Sequence, residues 1–136
     1  MPGREFLKVA RDVVNRPSEY HRRAAFVHAY HGLFLGCRDA LFRWGFKHPR
    51  RDNVHTWTRL RFAFATDHEL RDIGDALDQL GQSRNQANYN LNPHPDLATE
   101  APAQKAIQDA ADPLALLDAL DADPARRAAA ITAAFS

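Results

Sequence analysis

Apolar residues along this chain recur at spacings of three and four, the repeat of a helix, and nowhere sustain the alternation of a strand. Residues 4–14 put Phe6, Val9, Val13 and Val14 roughly on one side, and Arg16-Pro17-Ser18 interrupts them. Ser18 is predicted to cap the next helix, with Glu19 at its positive end. That helix, about 19–45, is apolar on nearly every face, from Ala24, Ala25, Phe26 and Val27 through Leu33, Phe34, Leu35 and Cys37 to Leu41, Phe42 and Trp44. Such a helix belongs at the centre of a bundle, and at 1.5 Å per residue it is about 40 Å long. Residues 45–54 read as a loop, and a shorter helix follows over 54–65. A second long helix is predicted over 67–91, capped by Asp67 and ended by Asn92-Pro93-His94-Pro95. Residues 98–121 are helical again. There Asp112-Pro113 either kinks the helix or restarts it with Asp112 as cap, and Asp123-Pro124 opens a last short helix at 124–134. The expected fold is all-α, an up-and-down bundle of four to five main helices with short terminal helices, in one domain over 1–136.

Composition narrows this further. At 136 residues and 45% hydrophobic, the chain can bury a core without disulfides or metals. Cys37 is the only cysteine and lies in an apolar stretch, as a buried small hydrophobe would. No apolar run has the length of a membrane span, and Met1–Glu5 lacks a secretory pattern, so a cytoplasmic protein without a membrane partner is expected. The net charge of +1 conceals an asymmetry. Residues 1–61 hold 13 Lys/Arg against 5 Asp/Glu, and residues 62–136 hold 5 against 12. Either the basic half faces a polyanion, or the two halves pack together and neutralise each other.

The second long helix carries the most informative departure from its own pattern. Leu70, Ile73, Leu77, Leu80, Arg84, Ala87 and Leu91 form a seam, and Asp72, Asp75, Asp78, Gln79 and Gln82 face water. Arg84 thus stands where leucine is expected. A guanidinium there costs several kcal/mol of desolvation unless partners satisfy it, so it is either paired structurally or aimed into a cleft or an interface. Asn88 lies one turn beyond Arg84 and Asn85 one step round the helix, and the two are candidate binding residues. Asparagine forms helices poorly, which suggests that hydrogen bonding outweighs propensity here, although Asn90 fits simple fraying.

Two further features are less specific. His28, His31 and Arg38 make a polar stripe on the central helix, without the spacing of a metal site. A basic stretch runs through Arg43, Lys47, His48, Arg50, Arg51, His55, Arg59 and Arg61, with Trp44, Phe46 and Trp57 interleaved. Cations meet phosphates and aromatic rings stack on bases, but rings at these spacings equally serve a core. A Gly-rich phosphate loop and a nucleophile motif are both missing, and neither a metal nor a cofactor is expected.

The order of these features resembles the HEPN (higher eukaryotes and prokaryotes nucleotide-binding) family. Arg22-Arg23-Ala24-Ala25-Phe26-Val27-His28-Ala29-Tyr30-His31-Gly32-Leu33-Phe34, followed by Arg38-Asp39-Ala40-Leu41, is similar to that family's first core helix. Arg84-Asn85-Gln86-Ala87-Asn88-Tyr89 resembles the Arg-x-x-Ala-Asp-Tyr end of a later helix in one prokaryotic subgroup. The resemblance covers roughly residues 18–120. It implies a helical bundle that forms a homodimer, with the two Arg84 motifs meeting in a cleft. Catalytic members of the family are metal-independent ribonucleases and place a histidine after the arginine with four to six residues between them. Here those positions hold Tyr89, Asn90 and Leu91.

Three functions follow as expectations. The first is a dimer that binds RNA, a nucleotide or a partner protein around Arg84, with Asn85, Asn88, His31, Arg38, Arg50 and Arg51 contributing. By the resemblance its partner would be of the nucleotidyltransferase type, in a toxin–antitoxin or defence-like system. The second is a ribonuclease toxin with a variant Arg-x4-Tyr motif, Arg84 and Tyr89 being the candidate catalytic pair. The third is a structural helical adaptor in which a carboxylate such as Asp39 pairs with Arg84.

Overall fold

The computed structural model describes residues 3–135, which form seven helices and no strand. These are α1 (Gly3–Val14), α2 (Glu19–Arg43), α3 (Val54–Ala63), α4 (His68–Tyr89), α5 (Pro95–Ala98), α6 (Ala101–Ala122) and α7 (Pro124–Phe135). No described helix is long and apolar enough to cross a membrane. As its all-round hydrophobicity requires, α2 is the central element, packed against α1, α4 and α6. Ala25, Ala29, Leu33, Cys37, Ala40 and Leu41 on it are completely buried. They join Phe62 of α3, Leu70, Ile73 and Leu77 of α4, and Ala103, Ala110 and Leu117 of α6 in one core.

Local chemistry sets the helix ends. The Ser18 hydroxyl accepts from the His21 N–H (3.2 Å), Asn53 from His55 and Thr56, and Asp67 from Glu69. α2 stops at Arg43, two residues earlier than its apolar pattern suggests. Gly45 adopts a φ of +94°, the Gly45 N–H donates to the Phe42 carbonyl and the Phe46 N–H to that of Leu41. This Schellman closure needs a residue without a Cβ in the left-handed region. Arg43 and the Trp44 indole then hold the Asp121 carboxylate at 2.7 and 2.8 Å, fastening the end of α2 to α6.

Of the two alternatives at Pro113, α6 runs on through it without restarting; Asp112 does not cap it and instead accepts from Gln108. Two expectations need correction. Residues 95–98 form a separate turn capped by the His94 imidazole, and α6 begins only at Ala101. Leu91 lies beyond the end of α4 and is 84% exposed, so the seam stops at Ala87. The opposed charges of the two halves are partly matched inside the chain, by Arg4 with Asp118 and Arg43 with Asp121. Lys47, Arg50, Arg51, Arg59, Arg61 and Arg84 have no carboxylate partner among the described residues.

Candidate functional site

The last turns of α4 are held in place from α2. One Arg23 guanidinium nitrogen donates to the carbonyls of Ala87 (3.0 Å) and Asn90 (2.5 Å), and the other to that of Asn92 (3.4 Å). Arg22 donates to Leu97 at 2.7 Å. Helix C-termini leave carbonyls without partners and carry partial negative charge, so Arg23 meets an electrostatic need while fixing where Arg84, Asn85 and Tyr89 sit, and Arg22 ties down the following turn.

Arg84 is half-buried. Its Cζ lies 5.7 Å from the ring centre of Tyr30 and 5.9 Å from that of Tyr89. One terminal nitrogen donates to the Asn85 side chain at 2.9 Å, and Nε is buried with no acceptor. The Asp39 carboxylate that a structural role could have used does not pair with Arg84 and engages Arg38 at 3.2 Å. Nor does Asn88, one turn on, bond Arg84; it is exposed, and the guanidinium turns to Asn85 instead.

Beneath Arg84 runs an aromatic column. The Tyr30 hydroxyl and His55 Nδ1 share a hydrogen bond of 2.7 Å, and the His55 ring stacks on Phe34 with centres 4.0 Å apart. Arg38 closes the far end, its Cζ 5.9 Å from the Phe34 ring. His31 packs edge-on against Phe6 of α1 and is tilted against Phe34. Burial keeps the Tyr30 phenol protonated above its ordinary range, against the opposing pull of Arg84. Burial also holds His31 and His55 below the ordinary imidazole value, and the nearby charge of Arg84 adds to the effect on both. Both rings are therefore neutral near pH 7. If Tyr30 donates to Nδ1, the His55 proton resides on Nε2.

A cleft of about 180 Å³ opens beside the column, lined by Tyr30, His55, Arg59, Gly81 and Asn85 among others. The absent side chain of Gly81 lets α4 approach the Tyr30 ring; a Cβ there would already touch that ring at 3.4 Å. Arg84, Asn85, Tyr89, His31 and Arg38 thus belong to one neighbourhood. Arg50 and Arg51 do not join it. Both are exposed in the 45–53 loop, and Arg51 lines a different cleft further round α3. His55 and Arg59, visible in the chain only as members of an unspecific basic stretch, and Tyr30 join the Arg84 site without forewarning, since no spacing in the chain links positions 30, 55 and 84. Among the described residues, no group of three or more His, Cys, Asp or Glu side chains is placed to hold a metal ion.

No family model matches the chain, and comparison with curated proteins and with solved structures gives no significant match.

Proposed function

We propose that the chain is a HEPN-like protein that binds the phosphates of RNA or of a nucleotide at Arg84, as a homodimer. One observation carries this: a half-buried guanidinium lies against two tyrosine rings with no carboxylate to neutralise it. The fork of guanidinium donors matches phosphate oxygens, and the terminal nitrogens of Arg84, bonded only to exposed Asn85, are the ones to offer it. Arg59 adds positive charge to the neighbouring cleft, which also holds the Asp78 carboxylate, and Tyr89, 70% exposed, offers a face on which a base can stack. A structural role for Arg84 as half of an ion pair finds no partner to support it. A nucleotidyltransferase-type partner protein rests on the family resemblance alone.

The test is fluorescence anisotropy with a labelled single-stranded oligoribonucleotide across a salt series. Arg84→Ala should weaken binding by about tenfold or more and flatten the salt dependence. Equal affinities and slopes for the two proteins would refute the proposal.

A second reading, metal-independent RNA cleavage, is favoured by the two neutral histidines. The family's motif histidine is missing from the end of α4, but His31 and His55 approach Arg84 from α2 and α3. A positioned proton acceptor contributes about 10²–10⁴ in rate. Cleavage of the same oligonucleotide should therefore fall by that order in His55→Gln while binding persists. Cleavage lost equally in His55→Gln and in Arg84→Ala, together with binding, would reduce the site to recognition.

A further inference from the structure

Further round α3 from the Arg84 column lies a larger cleft of about 550 Å³, between α3, the loop before it and α7. Trp57, Leu60, Phe64 and Ala134 supply its apolar surface, and Arg51 and Arg61 its charge. Its volume falls in the range of small-ligand pockets, and its make-up follows their usual pattern of apolar walls with a few polar groups. Phe64 at its edge is 72% exposed and Leu60 36%.

The charges are the informative part. Neither arginine has a carboxylate partner among the described residues; Arg61 lies over the Phe46 ring at 5.4 Å, and Arg51 is exposed. One carboxylate, Asp52, also lines the cleft, which leaves it net positive. Apolar walls beside two unpaired guanidinium groups match a molecule with a hydrocarbon body and one anionic head.

We propose that this cleft binds amphipathic monoanions of the carboxylate class, the tail lying on Trp57, Leu60 and Phe64 and the head between Arg51 and Arg61. The proposal stands independently of the function assigned to Arg84. Thr56, which lines both clefts, marks how thin the wall between the two sites is.

Decanoate, titrated below its micelle concentration, is the probe, and decanol supplies the same tail without charge. The readout is the indole N–H resonance of each tryptophan. Trp44 is buried and bonded to Asp121 and serves as an internal reference, and Trp44→Phe assigns the pair. Decanoate should move the Trp57 resonance in a saturable way and leave Trp44 in place, with decanol about tenfold weaker or worse. Arg51→Gln and Arg61→Gln should each weaken decanoate binding several-fold and leave decanol unaffected. Arg61→Lys, which keeps the cation, should recover part of the loss, and this separates a charge role from lost packing on Phe46. Equal responses to decanoate and decanol, no saturable shift of Trp57, or unchanged affinity in the double arginine variant would each overturn the proposal. Competition for the cleft by the oligoribonucleotide but not by decanoate would assign it to nucleic acid and refute the amphiphile.

Discussion

Replacing Arg84 by methionine separates a residue kept for function from one kept for stability. Methionine has similar length and helix propensity and returns hydrocarbon to a seam already formed by Leu77, Leu80 and Ala87. Two terms oppose each other. The wild-type Nε–H is buried without an acceptor, an arrangement that costs about 1–3 kcal/mol, and the substitution removes it. The substitution also removes two cation–ring contacts, with Tyr30 and Tyr89, at about 0.5–1 kcal/mol each. The bond to exposed Asn85 adds only a few tenths, since water replaces it. The terms nearly cancel, so Arg84→Met should lie within about 1 kcal/mol of the wild type, with any change tending towards stabilisation. Urea unfolding followed by far-ultraviolet circular dichroism measures this, provided the slope with denaturant is unchanged. The same variant should bind the oligoribonucleotide about tenfold or more weakly, the equivalent of one charge-assisted contact. A loss of stability above about 2 kcal/mol, with RNA affinity intact, would show that Arg84 supports the fold and serves no ligand.

Further expectations rest on other parts of the molecule. Gly74→Ala places a Cβ 2.5 Å from the Ala63 nitrogen, backbone that cannot move aside, and should cost about 1–3 kcal/mol or more in urea unfolding. Arg23→Ala releases three carbonyls at the end of α4. It should cost about 1.5–3 kcal/mol, and hydrogen exchange should become faster in residues 86–92 than elsewhere. His28, His31 and His55 all have folded values below the ordinary 6.5, so the unfolded chain binds more protons as the solution is acidified. Their stabilising contribution is complete above about pH 6.5 and is lost as pH falls below it. The melting temperature should therefore decline between pH 7.5 and 5.5, and His55→Gln should flatten that decline. A melting temperature independent of pH across this range would contradict the burial of these rings.

The sequence alone determined the helices and most of their ends. Ser18, Asn53 and Asp67 act on N–H groups two or three residues away, and Pro93 and Pro95 forbid continuation within their own turn, so nothing distant is needed to read them. The same local pattern exposed Arg84 as foreign to its seam and identified α2 as the central helix. Tertiary structure decided what surrounds Arg84. Tyr30 and His55 meet because α2, α3 and α4 converge there, and a contact between positions 30, 55 and 84 leaves no periodic trace in the chain. Packing likewise used Arg23 to close a helix more than sixty residues away. It also placed Arg51 further round α3 from the site that its basic neighbourhood suggested. Helical periodicity sets which face a residue occupies, but only the meeting of faces from separate helices selects its partners.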